Sequence, residues 1–210
     1  MIFKTRQLKG FTLVELTVSV GIFAILFTMI LANFRGAEQN NLNSALQKFA
    51  GDIREVQTAG LAGQTQDGVY PSGGYGMSLE ILGSSTSDYV TFADLNGNVF
   101  FDIASDSRLA AGTILKNNYI TDMFYSDEVD PAAPDSNLEP FLGWTRVLDN
   151  NFLVLTFNNN FVSLEIKPSA AAVSIQPAHV GFLLKNEKTQ LQAYLYVSQR
   201  TGLISSDLIK

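Results

Sequence analysis

Cysteine is absent from the 210 residues, so the chain has no disulfide, no thiolate nucleophile and no thiolate-built metal centre. Whatever domain it forms is held by core packing, with or without a bound ion. Histidine occurs once, as His179, which excludes a multi-histidine zinc site and a Cys–His pair. A Ser–His–Asp arrangement is left formally open, but Pro177-Ala178-His179-Val180 has no nucleophile elbow beside it, and a partly exposed histidine at the start of a strand is the plainer reading. Cations are in the minority: 14 Lys and Arg face 20 Asp and Glu, a formal charge of -6. Such a surface has no bulk attraction for nucleic acid or anionic lipid. Proline is missing from residues 11–61, so nothing there forbids one long helix.

Those absences are set against one long apolar run. Residues 1–10 carry Lys4, Arg6 and Lys9 and no acid; residues 11–32 then read FTLVELTVSVGIFAILFTMILA. As a helix the run is about 33 Å long, enough to cross a hydrocarbon core of about 30 Å. It is longer than the apolar core of a cleaved secretory signal, and no small-x-small site follows it, so the helix stays with the product. Three cations before the run, against Arg35 and Glu38 cancelling after it, keep the leader cytoplasmic and send the remainder outward.

Glu15 is the anomaly. A carboxylate within a spanning helix is expensive and is normally paired, yet no Lys, Arg or His lies in residues 11–33. A cut after Gly10 would expose a new ammonium at Phe11, one helical turn from Glu15, able to meet a carboxylate of its own or a neighbouring helix. The segment KGFTLVEL at residues 9–16 resembles the processing site of type IV pilins and pseudopilins. The resemblance implies that prepilin peptidase/N-methyltransferase cuts after Gly10, that Phe11 becomes the methylated first residue, and that Glu15 guides docking between sister subunits. It further implies a single-pass precursor in cytoplasmic-membrane lipid, a membrane assembly platform, and a final place in a surface pilus or envelope-spanning pseudopilus. The alternative for residues 11–32 is a signal anchor whose Glu15 sits near the headgroups.

Four segments follow: a leader at 1–10, a membrane or filament-core helix at 11–32, its amphipathic continuation at 33–61, and a β-rich exported head at 62–210. In the continuation Leu42, Leu46, Phe49, Ile53 and Val56 are spaced +4, +3, +4, +3 and draw one apolar stripe, with Gln47, Lys48, Asp52, Arg54 and Glu55 between them. Gly21 and Gly36 weaken the rod, and Gly36, beside Asn40 and Asn41, is the place for a bend. Gly60 and Gly63 end it. Beyond, residues 70–76 (YPSGGYG) read as a turn, 77–81 and 89–92 as strands, and residues 94–98 (DLNGN) as the turn of an Asn-Gly hairpin whose second strand is 99–103. Residues 114–122 carry one or two strands, and 127–140 form a polar exposed loop. Two further hairpins cover 151–157 with 161–167 and 181–185 with 191–197. In the first, Val162, Leu164 and Ile166 alternate with Ser163, Glu165 and Lys167, an inner face and a wet one. A long helix on an antiparallel sheet is an α+β fold, and it is also the fold the resemblance implies.

Asp94, Asn96, Asn98 and Asp102 place oxygen side chains around Gly97, which suits a calcium ion, but the spacing is not that of an EF-hand and Asx residues equally serve turn chemistry. Both alternatives stand at this point, though similar D-x-N-G-N stretches recur in minor pilins resembling this chain. Tyr70, Tyr75, Tyr89, Tyr119 and Tyr125 form either an adhesive face or core and rim aromatics, the latter being the ordinary use of tyrosine. Thr201-Gly202 reads as a turn resembling the terminal turn of pseudopilin heads. Many pilins close a C-terminal loop with a Cys pair and carry a Pro in the first half of the helix, and this chain departs from both. The sequence reading is therefore a filament subunit, structural and not an enzyme; an adhesive or substrate-binding tip subunit and an anchored exported enzyme are the alternatives.

Overall fold

The computed structural model describes residues 12–80, 85–115, 117–128, 141–147, 151–159, 162–168 and 175–209. The chain divides into two compact units, Met1–Glu38 and Gln39–Lys210.

The first unit is the beginning of helix α1, which runs Leu13–Leu61. Its described large apolar side chains are exposed around the helix, from Leu13 at 81% and Phe23 at 72% to Leu31 at 54%. The rod is long and apolar enough to cross a membrane, and an exposed apolar surface of that extent marks a site of contact with protein or lipid.

The second unit begins with the remainder of α1, where the amphipathic stripe does what its spacing predicts. Leu42, Leu46, Phe49, Ile53 and Val56 are all buried, joined by Ala45 and Ala50. The helix stops where glycine permits a left-handed residue: Gly63 has φ of 62°, and Gln64 N–H reaches back to the Ala59 carbonyl at 3.1 Å. Gly60 serves a different end. A Cβ there would lie 2.1 Å from the Phe157 carbonyl oxygen, so its absence lets the last helical turn touch the sheet backbone.

Ten strands follow among the described residues: β1 Gly74–Glu80, β2 Asp88–Asp94, β3 Ser107–Thr113, β4 Asn118–Ser126, β5 Thr145–Arg146, β6 Asn151–Phe157, β7 Val162–Pro168, β8 His179–Asn186, β9 Gln192–Ser198 and β10 Ile204–Leu208. They form two antiparallel five-stranded sheets, ordered β3-β2-β1-β6-β7 and β10-β9-β8-β4-β5. The α+β class is as the sequence predicts, with two sheets where one was expected. The sheets are stitched where Thr86 and Ile120 exchange backbone hydrogen bonds of 3.0 and 2.9 Å. Phe49 of α1 meets both, edge-on to Tyr89 of β2 at 5.4 Å and to Phe182 of β8 at 5.3 Å. One core cluster thus takes in the helix stripe and both sheets.

Four local expectations are corrected. Residues 74–76 open a strand; Gly74 (φ 91°) is glycine because a Cβ would strike the Phe157 carbonyl at 2.2 Å, a demand of close approach. The Asn-Gly hairpin does not form. Instead residues 95–106 make a loop and β2 pairs with β3. That loop folds over the outer face of the first sheet, with Phe101 against Phe92 at 5.3 Å and the Thr156 hydroxyl donating to the Val99 carbonyl. Of the three residues expected to be wet on β7, Lys167 is exposed while Ser163 and Glu165 are buried; Glu165 accepts a bond from Gln176 Nε2 at 3.0 Å, and Ile175 bridges Ile166 beside the strand. His179 does begin a strand but is buried, 7% exposed. Strands β3, β5 and β10 add to those expected. Tyr75 and Tyr89 are core residues and Tyr70 lies at the rim. Of the polar loop at 127–140, only Asp127 and Glu128 lie within the described residues, and both are exposed.

Candidate functional site

Three sets of side chains deserve a functional reading: the start of α1, the loop after β2 and the surroundings of His179.

Gly10 and Phe11 lie outside the described residues. At Thr12 the helix begins with a reciprocal cap. Glu15 N–H donates to the Thr12 hydroxyl oxygen at 3.2 Å, while Thr12 N–H and its hydroxyl donate to one Glu15 carboxylate oxygen at 3.1 and 3.0 Å. Thr at the cap with Glu three residues later is a capping box, which satisfies donors the first turn cannot. The carboxylate is therefore folded back to the N-terminal end of the rod, where the helix dipole favours an anion. Farther along, each hydroxyl turns onto the helix: Thr17 to the Leu13 carbonyl, Ser19 to Glu15 and Thr28 to Ile25, at 2.7–2.9 Å. A segment with its hydroxyls satisfied by its own carbonyls is suited to an environment without water.

In the loop after β2 each of the four expected ligand residues accepts at least one backbone N–H. Asp94, fully buried, accepts Gly97 N–H and Val99 N–H, each at 2.7 Å; Asn96 accepts Asn98 N–H, Asn98 accepts Phe100 N–H, and Asp102 accepts Ala104 N–H. Gly97 and Val99 take positive φ of 76° and 73° to present those N–H groups. Asp106 adds bonds from Leu95 N–H and Asp102 N–H. Burial pushes the Asp94 carboxyl up, opposed by the Val99 and Gly97 N–H groups. Asp102 stands in solvent with its carboxyl held below the usual range by Ala104 N–H and Ser105. The arrangement is chained Asx turns, and Asp94 faces the interior while Asp102 faces water. No group of three or more His, Cys, Asp or Glu residues that could hold a metal occurs among the described residues.

His179 packs 6.0 Å from Trp144, centroid to centroid, and neither ring nitrogen has a hydrogen-bond partner among the described residues. Among the described residues it therefore meets neither the nucleophile nor the orienting acid that a catalytic base requires.

What the sequence did not disclose is a polar clasp where α1 meets β2. Tyr89 donates its hydroxyl to Asp52; Lys48 Nζ donates to that hydroxyl at 2.9 Å and to Asp52 at 2.7 Å. The i,i+4 spacing of Lys48 and Asp52 was visible as a helical pair, but its partner 37 residues beyond Asp52 was not. These groups lie in a groove of about 790 Å3 between α1 and the edge strand β3.

Among proteins of known type, a family model described as the prokaryotic N-terminal methylation motif matches residues 6–31. No curated protein and no solved structure matches the chain. The matched residues include Gly10, Phe11 and the capped Glu15, together with nearly the whole bare rod.

Proposed function

From a chain that carries the methylation motif of pilins and pseudopilins ahead of a pilin-like fold, we infer a structural filament subunit that is processed and assembled through its N-terminal helix. The motif implies handling by prepilin peptidase and methyltransferase machinery. The observation that carries the reading is the coincidence of that motif with a rod whose apolar side chains are exposed on all sides.

The sequence of events follows from the chemistry of the rod. As a precursor it lies in the cytoplasmic membrane, its basic leader inside and its head outside. Hydrolysis of the Gly10–Phe11 bond removes three cations and leaves 11 basic against 20 acidic residues, a formal charge of -9. It also creates an ammonium at Phe11, next in sequence to Thr12, whose side chain and N–H already hold the Glu15 carboxylate. The ammonium thus arises one residue before the Thr12 that holds the acid. Sister rods, gathered by the membrane platform, supply the apolar surroundings that lipid supplied before. In that dry bundle, only an axial stagger that brings each Glu15 to an ammonium leaves no charge alone. The filament is a type IV pilus or a secretion-type pseudopilus.

Mass analysis of membrane and sheared-fibre fractions tests this directly. Mature chains should begin at methylated Phe11, Gly10→Leu should retain the leader, and Glu15→Ala should insert normally but enter fibres at least about tenfold less well. A native chain that begins at Met1 and never co-sediments with fibres refutes the reading.

A further inference from the structure

The loop at residues 95–106 holds its backbone by side-chain acceptors from Asp94, Asn96, Asn98, Asp102 and Asp106. On this braced loop Ile103 is 86% exposed, more than any other large apolar side chain described in the second unit. A lone exposed isoleucine on a slack loop means nothing. Held on a fixed backbone it is a contact whose ordering cost is already met. Its neighbour Asp102 stands in solvent as an anion.

The same loop makes a receptacle. Between it and the outer face of the first sheet is a cavity of about 250 Å3 lined by Ser78, Phe100, Phe101, Phe152, Val154 and Lys167. Lys167 extends its ammonium over the Phe100 ring at 4.4 Å, and no carboxylate among the described residues pairs with it. An apolar knob flanked by an acid and an apolar hole flanked by a base are complementary in shape class and in charge.

We propose that Ile103 and Asp102 of one head dock into the Phe100–Phe152–Lys167 cavity of a second copy of this chain. Knob and hole lie on one loop, so two copies facing each other about a two-fold axis make the contact twice, and that is the arrangement proposed. A two-fold contact closes at two copies and cannot propagate along a helical axis. It joins heads side by side, between neighbouring filaments or between subunits still in the membrane. One such patch is far below a standard interface of about 1,600 Å2, so a single pair is weak and rows of pairs along two fibres add by avidity. The inference draws on the filament reading for its setting only, since two membrane-held copies suffice to form it.

The absence of native cysteine makes the test clean. Two differently tagged full-length chains, one with Ile103→Cys and one with Ser78→Cys, are reconstituted together in vesicles and treated with a short bis-maleimide. A hetero-cross-link is expected at roughly ten times the yield given by Ile103→Cys with Leu203→Cys. Adding Asp102→Lys to the Ile103→Cys chain should remove that excess, and adding Lys167→Asp to its Ser78→Cys partner should then restore it. Yields equal to the Leu203→Cys control, or a charge swap that fails to restore, overturn the contact. Processing at Gly10 is scored on the same chains by mass, so the filament reading stands or falls separately.

Discussion

Replacing Tyr89 by Phe isolates the clasp that fastens helix to sheet. The ring keeps its place: it is 3% exposed, edge-on to Phe49, and lies across Gly112, where a Cβ would sit 2.0 Å from its edge. Only the hydroxyl is lost, and with it one bond to the Asp52 carboxylate and one from the Lys48 ammonium. Bonds to charged groups are each worth about 1.5–3 kcal/mol. Lys48 and Asp52 still hold each other at 2.7 Å and reach solvent, which returns part of that, so a net loss of about 1–2 kcal/mol is expected. For a unit of this size that is roughly 3–6 °C in Tm. The alkaline range adds a second signature. Burial first, and the bond to Asp52 next, push the Tyr89 hydroxyl up to about 12 from an ordinary value near 10. Between those values the unfolded chain has released a proton that the native chain retains, so stability falls as pH rises. After discount for solvent screening, the fall from this residue is about 1–2 kcal/mol. Lys48, raised by its bonds to Asp52 and Tyr89, and Tyr75, raised by burial, act in the same direction. Circular-dichroism melts of the full chain in detergent, at intervals from pH 8 to 12, measure both effects. Tyr89→Phe should melt lower at pH 8 and lose less between pH 10 and 12. A variant with wild-type Tm and wild-type alkaline slope would refute the clasp.

Other expectations follow from single positions. Gly51 faces open space on α1 while Gly60 faces the Phe157 backbone, so Gly51→Ala should stabilise by about 0.5–1 kcal/mol and Gly60→Ala should destabilise by about 1–3 kcal/mol in urea titrations. Thr12→Val removes the hydroxyl that receives Glu15 N–H, and hydrogen exchange in micelles should find that amide roughly fivefold faster. The loop after β2 is proposed to be closed by its own Asx turns; calcium in place of chelator should then move Tm by less than about 1 °C, and a larger rise would assign the loop to the ion.

The sequence alone determined what depends on short spacings and on solvent. The rod, its bare apolar surface, the anomalous acid and the Gly-Phe bond ahead of it are local facts, and one dimension carries them completely. So is the stripe from Leu42 to Val56, because 3.6-residue periodicity needs no knowledge of what it packs against. The capping box is spelled by Thr12 and Glu15 three apart, a local pattern that the sequence contains in full. Tertiary structure decided whatever joins distant residues. It chose two sheets over one, since Ile120 pairs with Leu184 of β8 and exchanges bonds with Thr86, partners that no local pattern names. It turned the Asn-Gly segment from a hairpin into a cover, because burying Phe101 on Phe92 and the Asp94 carboxylate among N–H groups outweighs a two-residue turn. It buried Ser163 and Glu165 on a strand whose alternation reads as half wet, pairing residue 175 with the edge of that strand and giving Glu165 a bond from Gln176. Alternation records which side chains share a face; only the completed packing decides whether that face meets water.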